Sequence, residues 1–413
     1  MSRLPTLEDL APDGLAGLAG TGVFVRVDFN VPLSPDGEVA DANRIEEALP
    51  TLRDLAGAGA RVVLASHCGR PKDAPDPRFS LRRVAAKTAE LLGRPVAFAA
   101  DTVGPEAERT TAALGDGEVC LLENLRFEPG EKKNDPEFAG RLAALVQRGG
   151  AGGAYVDDAF GSAHRAHASV VAVAERFPRR AAGRLLVREV ESLGRLLGEP
   201  DRPFAALLGG AKIEGKIDTL DNLLPRLDLL LVGGGMANTF LVAQGRELGE
   251  SLVERDRVEL AGRILERAAA RGIEVLLPTD LVVTDDLAAP SRVEVVGAGA
   301  TVPAGLKAVD VGPESRRAFA AALGRARTVF WNGPLGVFER PPFDAGTRAV
   351  AESLAGARER GAFTVIGGGE TVAAVRAAGV VDAIGHVSTG GGASLEFLAG
   401  KELPGVTALE AGR

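Results

Sequence analysis

Cysteine is almost missing from this chain. Cys68 and Cys120 are its two thiols, too few for a disulfide framework in 413 residues, and both lie in or beside apolar runs. That usage fits a reducing compartment, and the cytosol is the expected home. Aromatic residues are scarce as well, at 4% with one Trp and one Tyr, and positive charge is in deficit, with a formal net charge of -8. A nucleic-acid surface needs a basic stripe and stacking platforms, so none is expected. Nor is there an apolar run approaching the roughly 18 residues of a membrane span, and the opening MSRLPTLEDLAPDG lacks the basic-then-apolar order of a secretion signal. Neither export nor membrane insertion is expected.

What is present belongs to a globular protein: 46% hydrophobic and 25% charged residues. The length exceeds what one core supports and suggests two domains. Short apolar runs alternate with segments of helical period. VFVRVDFNV, RVVLASH, EVCLLENLRF and AYVDDAF fall in the first half; PFAALLGG, LDLLLVGGG, IEVLLPTD, TVFWNGPLG and FTVIGGG fall in the second. Continuous apolar strands separated by helices signal a parallel sheet covered on both faces. In ANRIEEALPTLRDLAGAG, Ile45, Leu49, Leu52 and Ala56 form one helical stripe. The expected fold is therefore α/β, with two doubly wound, Rossmann-like parallel-sheet domains joined by a hinge helix. Residues 1–183 make the first domain, the amphipathic stretch 184–199 the bridge, and 200–400 the second domain.

In open parallel sheets ligands bind beyond the carboxyl ends of the strands. In the first half those ends carry Arg26, Asp28 and Asn30, then His67 and Arg70, then Arg126, then His164, Arg165 and His167. An arginine presents a planar fork of donors matched to carboxylate and phosphate, so several converging on one crevice would hold a small, multiply charged anion. Taken singly, each arginine reads as a solvated surface charge; the shared position argues otherwise. The histidines lack the acidic companions and spacing of a zinc site and are expected to be ligand donors rather than metal ligands.

The strand ends of the second half are glycine-rich: LLGGAKIEGKI, LVGGGMANTF, VIGGGETVAA and HVSTGGGASLEF. Glycine lets backbone approach a phosphate, and a helix starting at once offers amide donors, so this half reads as a nucleotide site. Residues 210–216 match part of a phosphate-binding loop, but Ile217 stands where that motif needs Ser or Thr, so the match is accidental. No G-x-G-x-x-G follows a strand, which argues against a nicotinamide-dependent dehydrogenase.

Together RVDFNVP, SHCGRP, LLENLRF, AFGSAHRAH, GGAKIEGK, WNGPLGVFE, VIGGGET and STGGGASLEFLAGKELPG resemble phosphoglycerate kinase, in that family's order and nearly end to end. The resemblance implies a monomeric glycolytic kinase whose first domain binds 3-phosphoglycerate or 1,3-bisphosphoglycerate and whose second binds ATP or ADP with Mg²⁺. It implies that Asp28, Asn30, Arg44, His67, Arg70, Arg126 and Arg165 hold the acid. Lys212 and Lys216 would meet nucleotide phosphates or the phosphoryl in flight and, with Arg44, serve catalysis. Asn332, Pro334, Leu335 and Glu339 would line the nucleoside pocket, with Gly368, Gly369, Glu370 and Thr371 near the phosphates and the helix start at 388–392 completing the cradle. It further implies that segment 401–413 returns to the first domain. Two residues depart from the family pattern: Glu370, where the family has an Asp contacting the nucleotide's magnesium, and Cys68, where it usually has Leu. A nucleotide-binding scaffold without catalysis is the rival reading.

Overall fold

The computed structural model describes residues 3–72, 75–147 and 152–410. The chain forms two compact units, Met1–Glu191 with Glu402–Arg413, and Ser192–Lys401.

In the first unit, strands β1 (Gly22–Val27), β2 (Arg61–Ala65), β3 (Val96–Phe98), β4 (Val119–Leu121), β5 (Ala154–Asp158) and β6 (Arg180–Ala182) form one sheet in the order β3-β4-β2-β1-β5-β6, and every pairing is parallel. The central strands are buried on both faces, which is why GVFVRV and AYVDD read as nearly unbroken apolar runs. The helix Asn43–Gly57 lays Ile45, Leu49, Leu52 and Ala56 into the core beside Val23, Val25 and Val27. The segment after Lys401 belongs to this unit: Gly405 N donates to Ala163 O at 2.9 Å.

In the second unit, β7 (Phe204–Leu208), β8 (Leu229–Val232), β9 (Glu274–Leu276), β13 (Thr328–Asn332), β14 (Phe363–Gly367) and β15 (His386–Val387) form a second parallel sheet, ordered β15-β14-β13-β7-β8-β9. The chain runs outward from β7 to β9, then returns to β13 and runs outward on the other side. The gap between β7 and β13 is thus a topological switch point, where such sheets bind ligands. Between the two runs β10 (Leu281–Thr284), β11 (Val293–Val296) and β12 (Lys307–Val311) form a small antiparallel sheet. The helix Arg184–Leu197 carries the chain from one unit to the other.

Candidate active site

Four adjacent strands of the first sheet, β4, β2, β1 and β5, deliver the anion-binding candidates beyond their carboxyl ends. Arg126 follows β4, His67 and Arg70 follow β2, Asp28 and Asn30 follow β1, and Arg165 follows β5. Arg44 enters from the first turn of the helix Asn43–Gly57 and pairs with Asp28 Oδ2. Burial opposes ionisation of Asp28, but the Arg44 and Arg26 guanidiniums outweigh it and hold the carboxyl below its usual range. Asn30 Oδ1 accepts from Gly69 N at 2.8 Å, which leaves its NH₂ for a ligand. Arg126 Nη1 donates to Gly69 O, while its Nε is buried without a partner. Burial, with Arg165 and Arg26 nearby, lowers the Arg126 pKa to about 10, so the group stays charged. Arg70 is exposed and Arg165 half-buried.

Arg26, which the strand-end pattern also singled out, does not face a ligand. It is wholly buried and donates to Ser169 Oγ, Ser162 Oγ and Val27 O. Its Nη2 meets His67 Nδ1 at 3.1 Å, so that nitrogen accepts and the imidazole proton sits on Nε2. Burial, reinforced by Arg26, Arg126 and Arg165, pushes the His67 pKa well below normal; His167 falls to about 4 through burial and the same arginines. Both rings are neutral donors at pH 7, adding a directed hydrogen bond rather than charge.

The second unit builds its site at the switch point. Gly209 N donates to Asn332 O and Gly210 N to Pro334 O, drawing the β7 and β13 ends together. A Cβ on Gly333, whose φ is +97°, would lie 2.3 Å from Gly209 O, so only glycine lets the two turns cross. Beside this crossing opens a cavity of 310 Å³. Pro334, Leu335, Glu339 and Glu370 line it. Asn332 is buried, and its Nδ2 donates to Gly367 O at 2.8 Å, tying β13 to β14. Thr371 is likewise internal, its Oγ1 accepting from Gly333 N at 2.7 Å. Gly368, with φ +93°, precedes the helix Gly369–Ala377. Lys216 curls back so that its Nζ would be 3.2 Å from a Cβ on Gly210, and burial lowers its pKa despite Glu370 and Glu254. Lys212 is exposed. At 388–392, Ser388 Oγ meets Ser394 Oγ at 2.6 Å and accepts from Gly390 N, shaping the turn before the helix Gly392–Leu398. The opposite wall, Leu252, Leu281 and Lys307–Val311, escaped the sequence reading. Its signal in the sequence was the short run KAVDV, easily lost among longer apolar runs.

The model of the family "Phosphoglycerate kinase" matches residues 15–401. The chain belongs to the phosphoglycerate kinase family. It is 54% identical over 393 residues to the phosphoglycerate kinase of Desulforudis audaxviator, covering 95% of this chain and 97% of that one. With the Salinispora arenicola enzyme it shares 53% over 414 residues, covering 99% and 100%. The structure of phosphoglycerate kinase from Coxiella burnetii superposes with a TM-score of 0.83 at 38% identity, over 95% of this chain and 97% of that one. The protein is thus an enzyme, a phosphotransferase, and the non-catalytic scaffold is not favoured.

Against that family pattern Cys68 is a buried thiol, its pKa raised by burial and by Glu123. Cys120 is pushed up to about 12 by burial alone. Neither has the electropositive, accessible setting of a reactive cysteine. Glu370 sits in the first turn of its helix, on the cavity wall.

Proposed function

We propose that this enzyme transfers a phosphoryl group reversibly between 1,3-bisphosphoglycerate and ADP, giving 3-phosphoglycerate and ATP. The observation that carries this is the row of donors beyond four adjacent strands, Arg126, His67, Arg70, Asn30 and Arg165 with Arg44 on Asp28. It suits a short acid bearing a carboxylate and a phosphate. The cavity beside Gly210 suits the nucleoside, with Glu339 and Leu335 at its wall, and Gly368 and Gly369 would lie toward the phosphates.

The attacking atom is an ionised carboxylate oxygen or an ADP phosphate oxygen, already a nucleophile at neutral pH, so no side chain need remove a proton. Arg44, Lys212 and Lys216 neutralise charge on the phosphoryl group in flight, and the glycine amides orient it in line. The two ligands belong to different units, so transfer requires closure, with the helix Arg184–Leu197 as hinge, and closure also keeps water from the acyl phosphate. Among the described residues no group of three or more His, Cys, Asp or Glu is arranged to hold a metal ion. Mg²⁺ would be carried by the nucleotide phosphates with a single protein carboxylate, Glu370 on the cavity wall. Bound there, the ion would neutralise phosphate charge. The enzyme would act as a cytosolic monomer, as the scarcity of cysteine and the family resemblance suggest.

The test is a coupled assay of purified protein with 3-phosphoglycerate, ATP and Mg²⁺ beside Arg44→Ala. Turnover that the variant loses supports the reading. A wild-type protein that binds ATP but gives no turnover refutes it.

A further inference from the structure

Only Arg126 of the LLENLRF segment enters the acid site as described above, yet the segment's asparagine is the better connected residue. The Asn124 side chain is completely buried and uses all four of its hydrogen-bonding positions. Its Oδ1 accepts from the amides of Cys68 at 3.2 Å and Arg126 at 3.0 Å, and its Nδ2 donates to the carbonyls of Cys68 at 2.7 Å and Phe79 at 2.9 Å. Two amides on one side and two carbonyls on the other admit only this orientation of the group. One side chain thereby stitches together three segments: the strap after β2 that carries His67 and Arg70, the turn after β4 that carries Arg126, and the turn Pro77–Phe79.

The strap needs such a device because it has no ladder of its own: residues 66–70 lie beyond β2 without helix or strand structure. It is pinned at Gly69 from two sides, its N–H on Asn30 and its carbonyl on Arg126. Gly69 has φ +62°, and a Cβ there would lie 2.2 Å from the Phe79 ring. Glu123, next to Asn124, holds the third segment through Ser80 Oγ at 2.7 Å and Leu81 N at 2.8 Å. The geometry points to Asn124 as a positioning residue for the acid site, setting the His67–Arg70 strap against Arg126 without itself touching ligand. This rests on the reading that those residues hold the acid.

The decisive experiment measures KM for 3-phosphoglycerate, KM for Mg-ATP, kcat and thermal midpoint in full-length Asn124→Ser, Arg126→Ala and the double variant. Asn124→Ser loses the reach for four bonds. Its KM for the acid should rise roughly 10- to 100-fold, as misplacement of about an ångström does elsewhere, with KM for Mg-ATP within about twofold. The two substitutions should be non-additive, because one acts largely through the other. If the Ser variant does not fold, Asn124→Asp carries the same measurement, since it keeps the shape and both acceptor bonds while losing both donors. Folded Asn124 variants with an unchanged KM for the acid, beside an Arg126→Ala in which it rises, overturn the positioning role alone. So does a parallel worsening of both KM values that merely tracks lost stability. An Arg126→Ala with unchanged KM for the acid overturns the acid-site reading, and this inference with it.

Discussion

Glu370 places its carboxylate on the cavity wall one methylene further from its backbone than the family's usual Asp would. Magnesium demands near-ideal octahedral geometry at short distance, so that extra reach changes whether the carboxylate meets the ion directly or through water. Glu370→Asp should keep activity and lower the Mg²⁺ concentration that gives half-maximal rate. Titrating Mg²⁺ at saturating ATP checks it, and superimposable curves for the two proteins would contradict it. At this scale the sequence was informative about which residue types gather and less so about which way they face. Asp28, Asn30, His67 and Arg126 fall where the strand-end argument put them. Arg26 stands on β1 two residues before Asp28, which directly follows that strand, so alternation alone would give both the same side. Its burial depends on Ser162, Ser169 and Glu131, which come from far along the chain. Asn332 and Thr371 likewise turn inward to bond backbone between the ends of β13 and β14, a partnership no local pattern encodes.

Among the elements, β5 does more than carry Arg165 toward the acid. Its last residue, Asp158, accepts from Leu185 N at 2.9 Å and Leu186 N at 3.2 Å, while Thr51 Oγ1 accepts from Arg184 N at 2.7 Å. Side chains remote in sequence thus cap the helix Arg184–Leu197. Burial raises the Asp158 pKa to about 7, against the Thr51 hydroxyl and the two amides and with help from the Asp157 charge. The folded-state value lies above the ordinary 3.8, so the folded protein binds the proton more tightly. The stabilisation is complete below about pH 4 and is lost as pH rises through about 7. Asp158→Asn keeps an acceptor for the amides and removes the buried charge. Its stability gain over wild type should therefore grow between pH 5 and pH 8, to the order of a few kcal/mol. Thermal midpoints across that range test it, and a pH-independent difference would refute the assignment. Strand legibility followed the same physics. The doubly covered strands of both parallel sheets announced themselves as apolar runs, whereas β3, β11 and β12 are short or half-exposed and lack that signature.

For the whole molecule, the alternation of runs and helical segments was enough to foresee two doubly wound parallel sheets. It could not foresee the antiparallel β10–β12 insert, which supplies part of the wall of the cavity beside Gly210. The central claim is a division of labour: the acid on one unit and the nucleotide on the other. Calorimetric titration of each ligand into wild type, Arg126→Ala and Glu339→Ala tests it most directly. Loss of a charge-assisted contact should weaken 3-phosphoglycerate about 10- to 100-fold in Arg126→Ala alone and ADP measurably in Glu339→Ala alone. Acid affinity indifferent to Arg126→Ala, or one variant that weakens both ligands equally, would contradict the account.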